Sequence, residues 1–493
     1  MERLVPNDGV LRLSSRSQRI PPGSFDLNTV WKLAVIILFS SMVYKIILSP
    51  SKQRHFPTWA ALEYTLLTRV FGATDTPDLK TKLDNSWKDL FRPIEQMFLS
   101  DGGATAAIAK ANVLSSASSF VTFATNTTHM QRWELSAGLR IVTPDSPNQS
   151  GVVEASFQSI VRDFGACITI PLLYGNDFLD RSPQLLADFW EFDNYIFPLM
   201  MIGIPSWAPF KTIKNGIAAR TRVADAIEAL YQRIDQYQRG QPINYNADMS
   251  DISTAALERS KVYVREDWTF RQRGQGDFAI LFGQNANTHP MLFWFLTYVY
   301  STPGLLQQLR EETAPYVKVS QSSPPPDSSM DVTALSRNCP LMKSCIFETY
   351  RLATDAASIR YVARPITIKD GVYQHELKPG MYISVAHSVN QRDPSIYQNP
   401  DKFTPDRFLQ VDPKTGKPVA RRGALRPWGA GAAMCKGRTF AEKEIIALGT
   451  AIFSLWNITP ASGTWKLPAM VPGTGVKKPV EDIRVRITRR ILP

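Results

Sequence analysis

Cysteine and histidine are both scarce in this 493-residue chain, with four of the first and five of the second. Cys167, Cys339, Cys345 and Cys435 form no C-x-x-C and no paired spacing. That argues against a disulfide framework or a thiolate zinc site and for a reducing compartment. His55, His129, His289, His375 and His387 are scattered, with no H-E-x-x-H pair to hold a metal. Internal repeats are absent, and from His55 onward no strong linker divides the chain. The Lys and Arg residues are spread out rather than clustered with aromatics. A net charge of +12 therefore points to an acidic partner or an anionic membrane surface more than to nucleic acid.

What is present is enough apolar material for a sizeable core. With 44% hydrophobic and 20% charged residues the chain reads as globular, long enough for two or three ordinary domains or one large one. One run, VWKLAVIILFSSMVYKIIL from Val30 to Leu48, matches the hydrocarbon thickness of a bilayer as a helix. Lys32 and Lys45 stand near its ends, where their stems can reach the headgroups. A secretory leader is the competing reading, since only Leu33–Tyr44 is free of charge. The residues before the run and the lack of an A-x-A site after it favour a retained anchor. Charge does not set its orientation, because Arg12, Arg16 and Arg19 precede it while Lys52 and Arg54 follow.

A second apolar run, Phe278–Tyr300, is interrupted by GQNANTHP at Gly283–Pro290. So many polar groups at mid-bilayer would be costly, and the run reads as a long buried helix lining a cavity, with Asp277 as its N-cap. Residues 274–279, GQGDFA, fit G-x-G-x-x-A but follow Arg-Gln-Arg rather than a strand, so a dinucleotide site fails its context. Helical patterns also cover Pro183–Tyr195, Ala218–Gln238, Leu341–Leu352 and Thr439–Trp456. Strand-like pieces come late, at Ser358–Ile368, Met381–His387 and Ile483–Ile491, and Ser320–Met330 is a polar loop. Helices first and small sheets later predict one mainly α (α+β) domain. Tyr195–Phe210, YIFPLMMIGIPSWAPF, is broken by three prolines. It is either a buried connection or a loop that dips into a membrane.

Three motifs bear chemistry. Glu348-Thr-Tyr-Arg351 lies on a predicted helix, where positions i and i+3 can pair. Phe403-Thr-Pro-Asp-Arg407-Phe408 follows in an irregular segment. Trp428-Gly-Ala-Gly431-Ala-Ala-Met-Cys435-Lys-Gly437 then opens a helix. A cysteine there meets the helix dipole and free N–H groups, which favour a thiolate and make it a ligand or a nucleophile. In this order the motifs resemble those of the cytochrome P-450 superfamily, the haem-thiolate monooxygenases. The likeness spans roughly Pro57 to the C-terminus plus the anchor. It implies a tail at 1–29, an anchor at 30–48, a linker at 49–56 and a catalytic domain at 57–493.

The resemblance implies that Cys435 is the axial thiolate of haem b iron, a ligand that pushes electron density onto the metal. Gly431 and Gly437 let the backbone approach sulfur and porphyrin, and Trp428 replaces the family's usual Phe. Glu348, Arg351 and Arg407 become a buried charge network behind the cysteine loop. Ala433 stands where an Arg or His usually reaches a haem propionate, so Arg360 or Arg364 has to serve instead.

Aligned on Trp294, the family's [A/G]-G-x-[D/E]-T-[T/S] pattern falls on Gly283–Thr288. The acid position is then Ala286 and the alcohol position Asn287, the two groups that ordinarily relay protons. With Thr288 these are the catalytic candidates. Pro290 cannot donate to the carbonyl of Ala286, so the helix should bend there, unless Asn287 merely caps a distorted turn. A-N-T-x-P together with P-W-G-A-G looks like the prostacyclin synthase and sterol 7α/12α-hydroxylase branch. Leu172–Trp190 looks like fungal biosynthetic members. The resulting expectation is a monooxygenase anchored in the endoplasmic reticulum membrane with its domain cytosolic. It takes electrons from an NADPH-dependent flavoprotein reductase and oxidises a lipophilic steroid, terpenoid, polyketide or alkaloid intermediate. A haem-thiolate isomerase, dehydratase or cyclase is the first alternative, and a non-catalytic haem-containing ligand binder the second.

Overall fold

The computed structural model describes residues 64, 66–142, 151–201, 204–319, 328–431, 434–473 and 475–492. The predicted tail, anchor and linker lie outside them. No helix among the described residues is long and apolar enough to cross a membrane.

The helices that build the core are α1 (Leu79–Phe98), α2 (Asp101–Lys110), α3 (Phe157–Thr169), α4 (Leu185–Glu191), α5 (Lys211–Gln238), α6 (Thr254–Arg265), α7 (Phe270–Asn285), α8 (Thr288–Ser301), α9 (Leu305–Thr313), α10 (Pro340–Ala353) and α11 (Arg438–Leu455). A helix that is apolar all round has to be enclosed by others. In α8 every residue from Thr288 to Val299 is buried, and in α11 every residue from Lys443 to Leu455. These two helices pack on each other, and α8 also packs on α3 and α10. Gly274 lets α7 cross α5 closely: a Cβ there would lie 2.6 Å from the carbonyl oxygen of Ala224.

The strands are β1 (Arg140–Val142), β2 (Val152–Ser156), β3 (Ala357–Tyr361), β4 (Ile366–Asp370), β5 (Tyr373–Leu377), β6 (Tyr382–Ala386), β7 (Trp456–Pro460) and β8 (Arg484–Arg489). One antiparallel sheet runs in the order β1-β2-β8-β7, and β3 pairs with β6 and β4 with β5 as two-stranded ladders. The expected strand at Ser358–Ile368 is thus two strands that find different partners. Helices dominate and the sheets are small, as the pattern predicts.

Two expectations are corrected. Phe278–Tyr300 is not one helix: the chain turns at Ala286 and Asn287, between α7 and α8. Asp277 is no N-cap either. Helix α7 starts more than two turns earlier, where Thr269 accepts from the Gln272 N–H and the Gln272 side chain accepts from the Thr269 N–H. That reciprocal cap outcompetes a start at Asp277. Asp277 is instead buried in mid-helix against Arg259 of α6, whose Nε lies 2.8 Å from Oδ1, while the Tyr174 hydroxyl donates to Oδ2 at 2.7 Å.

Removing Arg259 leaves a buried carboxylate without its cation. Arg259→Met should destabilise folding by about 3–5 kcal/mol, and adding Asp277→Asn should recover part of that loss. Urea unfolding of the single and double variants checks both signs.

Candidate functional site

Helix α10 delivers the first part of the site. Glu348 and Arg351 share one face and are both fully buried. Arg351 Nε lies 2.7 Å from Glu348 Oε2 and Nη2 lies 2.8 Å from Oε1, a fork on a fork. Arg407 brings its Nε to 2.9 Å from the same Oε1. The remaining guanidinium N–H groups are used too. Arg351 donates to the carbonyls of Gln391 and Pro400, and Arg407 to the carbonyl of Gln398 and the Thr404 hydroxyl. The sequence-predicted trio is therefore assembled, and its direct partners are the backbone of residues 391–407. Its route to the cysteine loop passes through Tyr350, whose ring meets Trp428 edge-on at 4.9 Å. Arg422 lies over the other side of that indole, 4.9 Å from its centroid.

The loop itself folds back on Trp428: the Cys435 N–H donates to the Trp428 carbonyl at 3.0 Å, and the Met434 N–H to that of Gly431. Gly429 and Gly431 have φ of +74° and +70°, which a side chain would strain. Cys435 is exposed, three residues before α11 begins. Enclosure of its sulfur raises the thiol above its ordinary value, against the N–H groups of Gly437 and Arg438 and the Arg438 charge, which pull it down. The helix-end effect expected from sequence is present but outweighed by burial. Phe440 of α11 packs on Phe98 of α1 at 4.4 Å, and Lys436 pairs with Glu95 at 3.0 Å.

Above the loop lies a cavity of 460 Å³ lined by Ser358, Arg360, Ile383, Val385, His387, Arg426 and Ala430, among others. Its wall is one face of the β3–β6 ladder, in which Ser358 is opposite Val385 and Arg360 opposite Ile383. Arg360 donates to the Ala430 carbonyl, and a Cβ on Gly431 would sit 3.2 Å from its Nη2. His387 lies 2.8 Å from the Ser358 hydroxyl. Burial, then Arg426 and Arg360, hold its imidazole below the ordinary value. Arg364, the other candidate cation, is exposed and does not line this cavity, and Ala433 lies outside the described residues.

The hinge between α7 and α8 forms the third part. Asn287 occupies the N-cap position of α8, but its side chain makes no capping bond, so the plain capping role fails. Its Oδ1 is buried with no hydrogen-bond partner and points at Gly475, where a Cβ would come within 2.9 Å. Beside it Gly283 faces open space. The bend follows from Pro290, which leaves the Ala286 carbonyl without its helical donor.

Comparison with known proteins agrees with this geometry. The cytochrome P450 family model matches residues 273–483, a stretch that holds the hinge, the Glu348 network and the cysteine loop. Over that stretch the chain is similar to the cytochrome P450 family. A cytochrome P450 monooxygenase of Gibberella zeae is 28% identical over 67% of this chain and 62% of that protein. Cytochrome P450 7A1 of Sus scrofa is 24% identical over 64% of this chain and 62% of its own length. The first relatives are thus matched over less than two thirds of their length. A retinoic acid-bound cyanobacterial CYP120A1 structure aligns with a TM-score of 0.59 at 15% identity, covering 91% of this chain and 88% of that one, which shows the shared fold.

The family's cofactor is a haem whose iron takes a cysteine thiolate. The residues of this chain fit it. Cys435 offers sulfur at an exposed loop, Gly431 keeps the approach clear, Ile383 and Val385 give an apolar wall, and Arg360 and Arg426 bring positive charge to the same cavity. Sequence reasoning missed His387 and Arg426. They lie far apart in sequence and meet only in the lining of this cavity.

Because His387 resists protonation when folded, the unfolded chain binds more protons below pH about 6.5. Stability should fall as pH drops from that value through the lower folded one. His387→Asn should flatten that part of a Tm-versus-pH curve.

Proposed function

We propose that this chain is a haem-thiolate monooxygenase that oxidises a lipophilic small molecule, a steroid, terpenoid, polyketide or alkaloid intermediate of secondary metabolism. The observation that carries this reading is the cysteine loop at Trp428–Gly437, with its glycines, set beside a cavity that combines apolar wall and cations. In that reading Cys435 would hold the haem iron, and Arg360, Arg426 and His387 would receive the haem carboxylates in place of a residue at position 433. Bound there, the haem would supply dioxygen activation. The chain's own work is to hold the ligand loop, through Glu348, Arg351 and Arg407, and to set the hinge at Ala286–Asn287 over the substrate side. Ala286 holds no proton, so Asn287 orients the groups that approach the hinge rather than delivering a proton itself.

Relatives that carry the names fungal cytochrome P450 monooxygenase and 25-hydroxycholesterol 7-alpha-hydroxylase support a lipophilic substrate. The exposed Arg421, Arg422 and Lys436 suit docking of an acidic, NADPH-dependent flavoprotein. Tyr195, Trp207 and Phe210 are 55%, 72% and 57% exposed in one segment, next to Lys211 and Lys214. Such a basic-edged aromatic patch suits the membrane reading, with the anchor at Val30–Leu48 holding the domain at the endoplasmic reticulum surface.

The absent acid at Ala286 favours a second reading, isomerisation, dehydration or cyclisation without oxygen insertion. Turnover with reductase under labelled dioxygen separates the two. One labelled atom in the product supports the first, and turnover independent of NADPH and oxygen supports the second. Cys435→Ala should abolish the thiolate-type carbon monoxide spectrum. If that spectrum survives, the ligand assignment is wrong. Under the second reading, Asn287→Thr should bring a gain of oxygen insertion.

A further inference from the structure

The hinge is gripped from both sides, and only one of the two grips pairs ionisable side chains. Before the turn, Gln284 Nε2 of α7 donates to the Thr169 carbonyl at the end of α3, at 2.7 Å. After it, His289 Nε2 lies 2.9 Å from Glu444 Oε1 of α11 and 3.4 Å from the Thr169 hydroxyl. His289 and Glu444 are both fully buried. His289 Nδ1 and Glu444 Oε2 have no other hydrogen-bond partner, so each residue depends on the other for its main polar contact. Helix α3 is shaped around the ring, since a Cβ on Gly165 would come within 2.5 Å of His289 Cδ2. Little else polar fixes the first turn of α8: Asn287 makes no side-chain cap, and Pro290 has no N–H to give.

We propose that His289 and Glu444 are positioning residues whose single buried hydrogen bond sets the hinge at Ala286–Asn287 relative to α11, the helix that starts just after Cys435. The bond joins the substrate-side turn to the ligand-side helix in one step, and Thr169 steadies the other end of the turn. Losing it leaves an imidazole or a carboxylate buried without its partner, and the cheapest relief is for the first turn of α8 to shift. The inference rests on the haem reading only for what the hinge faces, and the pair itself stands on the geometry alone.

Hydrogen exchange of the peptide spanning Ala286–Met291 tests it in protein with and without haem. The amides of Ala286 and Met291 are bonded to the carbonyls of Phe282 and Asn287 at 2.9 and 3.0 Å and report the turn. His289→Phe should raise exchange there by roughly tenfold, the equivalent of one buried hydrogen bond, and shift the spectral affinity for imidazole of haem-loaded protein by a similar factor. His289→Gln and Glu444→Gln, which keep a hydrogen-bonding group, should show less than half that effect on a logarithmic scale. Tyr300→Phe is the control: it removes another buried bond of α8, to the Trp456 carbonyl, and should leave the hinge peptide unchanged. Unchanged exchange in His289→Phe, or an equal rise in Tyr300→Phe, overturns the proposal. If His289→Phe does not fold, a rise in both Gln variants that exceeds the one in Tyr300→Phe but stays below about threefold supports it, and no rise in either above that in Tyr300→Phe overturns it. Should the unaltered protein bind no haem, the functional reading falls, while the exchange data still decide the role of the pair.

Discussion

The carboxylate of Glu348 is the point on which the site depends. Two guanidiniums converge on it in a fully buried place, so the cost of desolvating three charges is offset only while every N–H and lone pair finds a partner. That condition fixes more than the trio. To satisfy Arg351 and Arg407, the carbonyls of Gln391, Gln398 and Pro400 must turn inward. An irregular, proline-bearing stretch thereby acquires one conformation without belonging to any sheet or helix. Asn399 adopts a φ of +49° within it, a conformation that asparagine tolerates better than most residues. The cysteine loop then inherits its position at second hand, by Tyr350 against Trp428 and by the Arg360 contact with Ala430.

This indirect arrangement explains why a loop so rich in glycine can be specific. Gly429 and Gly431 give the backbone a shape that brings Cys435 back under Trp428, but glycines do not by themselves hold that shape. The hold comes from outside: an indole between a tyrosine edge and a guanidinium, and a salt bridge from Lys436 to Glu95 of α1. Conformational freedom is concentrated where the cofactor has to approach, and rigidity is concentrated one layer behind.

Much of this was legible in the sequence, for reasons that differ from residue to residue. The Glu348–Arg351 pair follows from helical spacing, and the start of α11 from the pattern after Gly437. The turn at Ala286–Asn287 follows from a single missing N–H at Pro290, and the structure shows it as a full break between two helices. The start of α7 was not legible from Asp277, because the Thr269–Gln272 cap lies before the apolar run that marked the helix. Nor could the sequence bring Ser358 and His387 together, since that depends on which strands pair. A ladder between β3 and β6 is one of several that the strand-like pieces allow, and the choice is made by tertiary packing.

The departures from the family's pattern are better understood together than singly. An alanine replaces the acid at 286, and an alanine stands at 433 where a cation is usual. In each place an ionisable side chain comes from another element instead: Glu444 of α11 behind the hinge through His289, and Arg360 of β3 beside the loop. A charge carried on a separate helix or strand is less tied to the local backbone than one on the hinge or loop itself. It moves only if that element moves. The hinge of this protein is therefore coupled to α11, so that substrate-side geometry and ligand-side geometry are constrained together. In an enzyme whose turn carried its own acid, those two constraints would be separable.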